Sequence, residues 1–285
     1  MTILYQTETV DDCTIFYREA GPEQAPNLLL LHGFPTASHM FRNLIPELSD
    51  RYHIIAPDFP GFGNTVAPSR DSFDYTFDHL AQVIDAFTEK IGLLHFAMYV
   101  FDYGAPIGYR IAVAHPERIA GIISQNGNAY QEGFGDTWGS WKKYWDAPTA
   151  DNREACRESL TPVAIRDFQY MTGIDGQLVS PDGYTLDNFY MKRPEREEIQ
   201  LDLILDYRNN IRLYPEFQAY FRTYQPPFLA VWGKNDPSFI PAGALAYGRD
   251  LPDAEIHLLN TGHFALETHA VQIGYLINVF LSRVI

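Results

Sequence analysis

The pattern of apolar and polar positions divides the chain into a strand-rich beginning, a helical middle and a strand-rich end. Short runs rich in Leu, Ile, Val and Phe are bounded by Gly, Pro or Asp and alternate with longer segments of helical periodicity. The apolar runs lie at 27–32, 52–57, 96–101, 119–124, 227–233 and 255–260. Because these runs are apolar almost throughout, they predict buried strands of a parallel sheet.

The remaining elements complete an α/β pattern. Residues 77–93 carry apolar side chains at helical spacing, and residues 244–251 and 270–284 have helical character too. Two N-terminal stretches alternate more strongly and predict antiparallel strands at the sheet edge, which brings the strand count to eight. We predict an α/β fold with residues 1–126 and 226–285 as its core and 127–225 as an inserted helical lid over the carboxyl ends of the strands.

Composition and charge exclude several classes of binding partner. The chain has 285 residues, 46% of them hydrophobic, and a formal charge of −15, which disfavours nucleic acid and anionic membranes as partners. The N-terminal segment resembles no signal peptide, and no window approaches the roughly 18 apolar residues of a membrane span, so we expect a soluble, cytoplasmic protein. Cys13 and Cys156 are expected to be reduced, packed thiols.

The segment 98–112, MYVFDYGAPIGYRIA, predicts a sharp turn between a strand and a helix with Asp102 at its corner. Gly104 leaves room for such a turn. No G-x-S-x-G occurs, and no cysteine lies at a comparable turn, so a serine or cysteine nucleophile lacks a candidate. Asp102 is therefore a candidate nucleophile, with a simple helix cap as the alternative.

Two further candidates follow later strands. His263 lies in TGHFALE after the last predicted strand, where an imidazole could act as a base. Asp236 lies in WGKNDPSF, where a plain Asx-Pro turn is the alternative interpretation. The order of nucleophile, acid and histidine, each after a different strand, is the one that α/β-hydrolases require.

The loop in LLLLHGFPTASHMF could supply an oxyanion hole. Backbone N–H groups of Phe34 and Tyr103 are the expected donors, since Pro35 has no N–H, and its ring could fix the loop through a cis bond. His32 is expected to tie the loop down, and Asp58 to form a turn.

These motifs together resemble the epoxide hydrolase and haloalkane dehalogenase branch of the α/β-hydrolase superfamily. HGFP, APDFPGFG, the Asp turn, WGKNDP and GHFALE occur in the family's order over nearly the whole chain. The resemblance implies an aspartate nucleophile at Asp102, a base at His263 and its carboxylate partner at Asp236. Hydrolysis through such an ester requires neither a metal nor an organic cofactor, and no cofactor motif occurs in the sequence. The aromatic residues of the lid predict a small apolar or aromatic substrate that reacts with water.

The leaving group separates the two activities. In epoxide hydrolases lid tyrosines protonate the epoxide oxygen, and LDYRNN resembles the segment that supplies one of them, which makes Tyr207 the candidate. In the other donor region, WGSWKKYWDAP, Trp141 stands where the family has its tyrosine and Tyr144 follows one turn later. The Trp residues of this segment recur at helical spacing, so packing of the lid is an alternative role.

Dehalogenases of this family hold the halide with a Trp after the nucleophile and a polar residue in the HG-x-P loop, positions that Tyr103 and Phe34 occupy here. We therefore expect epoxide hydrolysis, with dehalogenation at an atypical halide site as the alternative. A ligand-binding protein without turnover is the third hypothesis, because a fold does not dictate function. Oligomeric state stays open, with a homodimer among the alternatives.

Overall fold

The computed structural model describes residues 2–285, and its strands form an eight-stranded sheet. The strand order across the sheet is β1, β2, β4, β3, β5, β6, β7, β8, with β2 antiparallel to both β1 and β4 and the other neighbours parallel. The predicted α/β class, the eight strands and the antiparallel N-terminal pair are confirmed. The strands are β1 Ile3–Val10, β2 Cys13–Ala20, β3 Asn27–Leu31, β4 His53–Pro57, β5 Phe96–Phe101, β6 Ile119–Gln125, β7 Phe228–Gly233 and β8 Glu255–Leu259.

Helices cover both faces of the sheet and fill the interval between β6 and β7. The predicted helix at 77–93 is α2, whose apolar face is buried and whose N-cap Thr76 accepts from the backbone N–H of His79 at 3.2 Å. The helices are α1 Ile45–Leu48, α2 Phe77–Lys90, α3 Gly104–Ala114, α4 Gly139–Asp146, α5 Ala150–Cys156, α6 Pro181–Met191, α7 Arg196–Tyr224, α8 Pro241–Asp250 and α9 Leu266–Leu281.

The helix α7 runs from the inserted segment into the core. Near its start Asp202 accepts from Arg153 of α5, whereas near its end Phe217 and Phe221 pack edge-on against Tyr109 of α3. The helical insertion is therefore present, and its last helix also covers the sheet. The exact boundary at 225/226 stays a prediction.

The parallel register brings the carboxyl ends of four strands to one edge. Phe101 of β5 pairs with Gln125 of β6, and Gly233 of β7 pairs with Leu259 of β8. The residues that directly follow these strands must therefore lie near one another, beneath the helical insertion.

Two smaller expectations can be compared with the structure. Cys13 and Cys156 are both buried and free, as expected of packed thiols. Within residues 2–285, none of the helices combines the length and the apolar character needed to cross a bilayer.

Candidate active site

The turn between β5 and α3 holds Asp102 in a left-handed backbone conformation, with φ of 48°. Few residues other than glycine adopt this conformation without a constraint from their surroundings. The surrounding chain leaves little room: a Cβ on Gly104 would lie 2.4 Å from the carbonyl oxygen of Leu31, and one on Gly33 would lie 2.4 Å from the Cβ of Asp102. The predicted sharp turn is present, and it holds the carboxylate at the end of the central strand.

The three candidate residues from separate strands converge. His263 Nδ1 and Asp236 Oδ2 are 2.6 Å apart, and His263 Nε2 lies 3.8 Å from Asp102 Oδ2. All three side chains are buried. Asp236 also forms the turn that was its alternative interpretation, because its Oδ1 accepts from the backbone N–H of Ser238 at 2.8 Å. The two oxygens of Asp236 thus serve two contacts, and His263 is oriented toward Asp102.

Asn126 is a site residue that sequence reasoning missed. It follows β6 with φ of 45°, and its side-chain amide donates to Asp236 Oδ2 at 2.8 Å. Its Oδ1 accepts from the backbone N–H of Gly233 at 2.9 Å. A buried amide that joins two strand ends holds the carboxylate of Asp236 in place. The only sequence signal was an Asn at the end of an apolar run.

The loop after β3 faces the carboxylate as expected. The backbone N–H of Phe34 donates to Asp102 Oδ1 at 2.6 Å, and the N–H of Tyr103 also stabilises the ionised carboxylate. The Phe34–Pro35 peptide is cis. The geometry therefore separates the two oxygens of Asp102: Oδ1 faces the N–H of Phe34 and Oδ2 faces the imidazole.

Two neighbouring residues support this loop. His32 accepts from the N–H of Phe59 at 3.0 Å through Nε2, and its Nδ1 lies 3.1 Å from the carbonyl of Gly33. Burial lowers the pKa of His32 to about 4, so it stays neutral. Asp58 accepts from the backbone of Ser38 at 2.7 Å. Both residues thus tie loops, as their sequence positions indicated.

Burial and charge act against each other at both Asp102 and His263. It raises the pKa of Asp102 to about 6, although nearby His263 and the backbone donors of Phe34 and Tyr103 favour the ionised form. Burial alone would lower the pKa of His263, but the carboxylates of Asp236 and Asp102 outweigh it, so that the pKa is raised. An imidazole with this environment can accept a proton from water near neutral pH.

A cavity of about 420 Å³ opens directly onto these groups. Its size suits a small organic molecule. Among the residues that line it are Asp102, His263, Phe34, Trp138, Trp141 and Phe239. Within residues 2–285, three titratable side chains line the cavity: Asp102, His263 and Glu158. Neither Lys nor Arg is among the described lining residues.

The lid residues divide into two groups. Tyr207 is fully buried and does not line the cavity; its ring packs against Trp138 at 5.2 Å and Tyr103 at 5.8 Å between centroids. Tyr144 is also absent from the lining, and its hydroxyl accepts from Arg153 at 3.2 Å. The expected approach of either hydroxyl to a leaving group is thus not seen, because aromatic packing holds Tyr207 away from the cavity and the hydroxyl of Tyr144 is engaged by Arg153.

Trp141 differs from its neighbours in α4. The indole N–H of Trp138 donates to Ser238 O at 2.8 Å, and that of Trp145 donates to Ile204 O at 2.5 Å. Trp141 lines the cavity edge-on to Phe34, and its indole N–H donates to no described residue. The packing role holds for Trp138 and Trp145, whereas Trp141 lines the same cavity as Asp102 with an indole N–H that has no protein acceptor within residues 2–285.

One cluster outside the cavity has donor atoms that could bind a metal. The ligand atoms of Asp85, Glu89 and His115 lie within 4.8 Å of one another. Arg118 already donates to Asp85 at 2.7 Å and lies 3.7 Å from Glu89, so a guanidinium compensates these carboxylates. The cluster has the character of a surface ion network.

Comparison with known proteins places this geometry in a family. The model of a family described as alpha/beta hydrolase fold matches residues 26–270. The chain belongs to the alpha/beta hydrolase fold family. The match includes the turn at Asp102, the helical insertion, Asp236 and His263.

Relatives within the alpha/beta hydrolase fold family include hydrolases and dehalogenases. The chain is 45% identical over 277 residues to the uncharacterized hydrolase YNR064C of Saccharomyces cerevisiae, covering 95% of this chain and 94% of that protein. It is 28% identical over 267 residues to haloalkane dehalogenase 2 of Mycobacterium tuberculosis, covering 89% and 86%. This alpha/beta hydrolase is therefore related to haloalkane dehalogenases.

A solved structure gives the same fold. The crystal structure of the haloalkane dehalogenase DbeA from Bradyrhizobium elkani matches with a TM-score of 0.81 at 20% identity, covering 99% of this chain and all of that one. At this level of identity the likeness concerns the architecture alone.

Proposed function

We propose that this alpha/beta hydrolase converts a small haloalkane into an alcohol through a covalent ester on Asp102. The observation that carries the proposal is Trp141, which lines the same cavity as Asp102 and whose indole N–H donates to no protein group within residues 2–285. A halide leaves as an anion and needs only a hydrogen bond, which an indole can give. Relationship to haloalkane dehalogenases supports the same assignment.

In the first step Asp102 Oδ2 attacks the carbon that carries the halogen. The new C–O bond forms as the C–X bond breaks, and the halide departs with the bonding electron pair toward the Trp141 N–H. No base is needed, because the carboxylate is already ionised once the pH exceeds its pKa of about 6. The product of this step is an alkyl ester of Asp102.

In the second step His263 Nε2 removes a proton from water, and the resulting hydroxide attacks Cγ of the ester. The N–H groups of Phe34 and Tyr103 stabilise the negative charge that develops on Oδ1. Collapse of the tetrahedral intermediate breaks the bond between Cγ and the ester oxygen, and His263 returns the proton to the departing alkoxide. Asp102 then carries one oxygen and the remaining proton of the water, and release of that proton to solvent regenerates the carboxylate. The alcohol carries an oxygen that came from Asp102.

Epoxide hydrolysis is the second candidate, and one observation favours it. The hydroxyl of Tyr207 is buried, and its pKa is raised by burial above all, then by neighbouring Tyr214 and by the charge of Asp102, so it stays protonated with Asp102 close enough to affect it. A rotation of this side chain toward the cavity would supply an acid for ring opening. Indole is a far weaker acid than phenol, so Trp141 could hydrogen-bond to an epoxide oxygen but could not protonate it.

The test is intact mass of the His263→Gln variant after incubation with 1,2-dibromoethane and, separately, with styrene oxide. We expect an adduct on Asp102 with the bromide, because alkylation proceeds while ester hydrolysis lacks its base. Trp141→Phe should slow this alkylation by about tenfold or more, whereas Tyr207→Phe should leave it unchanged.

The other outcomes discriminate between the hypotheses. An adduct with styrene oxide alone, slowed by Tyr207→Phe, would replace dehalogenation by epoxide hydrolysis. If neither compound gives an adduct but the His263→Gln variant binds them as well as the wild type does, the protein would be a non-catalytic binding protein. As a control, Asp102→Asn combined with His263→Gln should give no adduct with either compound.

A further inference from the structure

A buried carboxylate of the lid lies between the two loops of the active site. Asp187 of α6 is fully buried, and its oxygens face different partners. The hydroxyl of Tyr170 donates to Oδ2 at 2.5 Å, and His39 Nε2 lies 3.0 Å from Oδ1. A carboxylate removed from water is costly unless it is paired, and the Tyr170 hydroxyl is the hydrogen-bond donor to Asp187, whereas Oδ1 lies close to the His39 ring without a well-aligned hydrogen bond.

Through His39, Asp187 is connected to the loop whose Phe34 N–H donates to Asp102. His39 belongs to the short 3-10 helix that directly follows this loop, and its Nε2 lies 3.4 Å from the hydroxyl of Thr36. The backbone N–H of Thr36 donates to the carbonyl of Gly33 at 3.1 Å, which closes the turn around Phe34. A shift of His39 would therefore displace the N–H that faces Asp102 Oδ1.

Through Tyr170, Asp187 is connected to the loop that carries His263. The ring of Tyr170 stacks on Phe264 with centroids 4.0 Å apart and an interplanar angle of 14°. Phe264 in turn packs edge-on against the imidazole of His263 at 5.5 Å. The approach of α6 is close here, since a Cβ on Gly183 would lie 2.9 Å from the ring of Tyr170.

We infer that Asp187 is a positioning residue through which the lid holds the Phe34 N–H and His263 at the same time. Asp187 does not line the cavity and has no hydrogen bond or ion pair with Asp102, so it acts through His39 and Tyr170. The inference rests on the proposed ester mechanism. Both of the groups that it positions are needed most in the second step, when water is deprotonated and charge develops on Oδ1.

The experiment separates ester formation from ester hydrolysis in Asp187→Asn and Tyr170→Phe. The asparagine keeps the shape of Asp187 but offers a single acceptor oxygen, and the phenylalanine keeps the stack on Phe264 while removing the donor. Quench-flow intact mass with 1,2-dibromoethane should show ester hydrolysis slowed by about tenfold, since small displacements of catalytic groups have large kinetic effects. Ester formation should stay within about twofold of the wild type, and the ester should accumulate.

Asp202→Asn is the matched control, because it breaks another contact between lid and core, the ion pair with Arg70, at 2.6 Å. It should not make the ester accumulate. If Asp187→Asn folds poorly, the milder Tyr170→Phe variant carries the test, with thermal unfolding measured for each.

Three results would overturn the inference. Both variants could hydrolyse the ester at the wild-type rate, Asp202→Asn could cause the same accumulation, or both steps could slow equally. These results differ from failure of the proposed function, in which even His263→Gln forms no ester.

Discussion

At the scale of single residues, the surroundings of Asp102 and His263 raise the pKa of both side chains. Burial raises the pKa of Asp102 to about 6, and two carboxylates raise that of His263 despite its burial. Alkylation needs ionised Asp102, so it is present above that pKa and is lost as the pH falls through it. Ester hydrolysis needs neutral His263 and is lost as the pH falls through the raised pKa of the imidazole.

As the pH falls, the rates of alkylation and of ester hydrolysis should therefore decrease at different pH values. In the ester Asp102 has no charge, but Asp236 still faces His263 at 2.6 Å and holds the pKa of the imidazole up. We expect that acidification of the wild type makes the ester accumulate before alkylation itself stops near pH 6. Rapid-quench mass spectrometry at a series of pH values measures both steps, and a parallel loss of the two at one pH would contradict the assignment.

Most of the candidate active-site residues could be predicted from the sequence. Asp102, Asp236, His263, Phe34 and Tyr103 could be found because each follows a strand that is recognisable as an apolar run. Tyr207 shows the limit of this reasoning, since a lid motif indicates a helix position but not which ring packs against its side chain. The partners of Asp187 were equally out of reach, because they lie far apart in the chain.

At the scale of elements, the active site depends on how closely β3 and its loop approach the turn after β5. A Cβ on Gly33 would lie 2.4 Å from the Cβ of Asp102 and 2.5 Å from its Oδ1. The neighbouring strands that carry these turns are central and buried, so neither backbone can easily withdraw.

Gly33→Ala should therefore inactivate the enzyme. We expect ester formation with 1,2-dibromoethane to fall by about a hundredfold or more, because the added methyl group displaces the carboxylate. Gly248→Ala in α8 is the control: its added Cβ meets nothing closer than 4.0 Å, and it should retain full activity with unchanged or higher thermal stability. Full activity of Gly33→Ala would show that the loop can move aside.

Element existence was easier to predict than element function. The strand at 96–101 and the helix at 77–93 follow from periodicity alone, whereas the strand order, with β4 between β2 and β3, does not. The shared role of α7 in lid and core was not predictable, since apolar periodicity does not say which layer a helix face meets.

At the scale of the whole molecule, charge should select the substrate. The formal charge is −15, and the cavity is lined by Asp102 and Glu158 without a Lys or Arg in the described part of the lining. A substrate with its own carboxylate is therefore repelled on approach and finds no cationic partner inside.

We expect kcat/KM for 1-bromohexane to exceed that for 6-bromohexanoate by at least about tenfold at low ionic strength. Glu158→Gln should reduce this ratio by about threefold, whereas Glu216→Gln, which removes the same charge from outside the cavity lining, should not change it. Added salt should also reduce the ratio. Equal efficiency toward both compounds would show that charge plays no part in selection.

The length of α7 limits how substrate can reach this cavity. Its 29 residues span about 43 Å, and its two ends are fixed to different layers of the molecule. A lid that swung away as one body would have to bend this helix, with exposed Pro215 as its weakest point, or pull Phe217 and Phe221 out of their packing. Small molecules should instead pass where the cavity lining is exposed to solvent, as at Ser140, Ala155 and Glu158, so the side chains there would govern which compounds enter and how fast products depart.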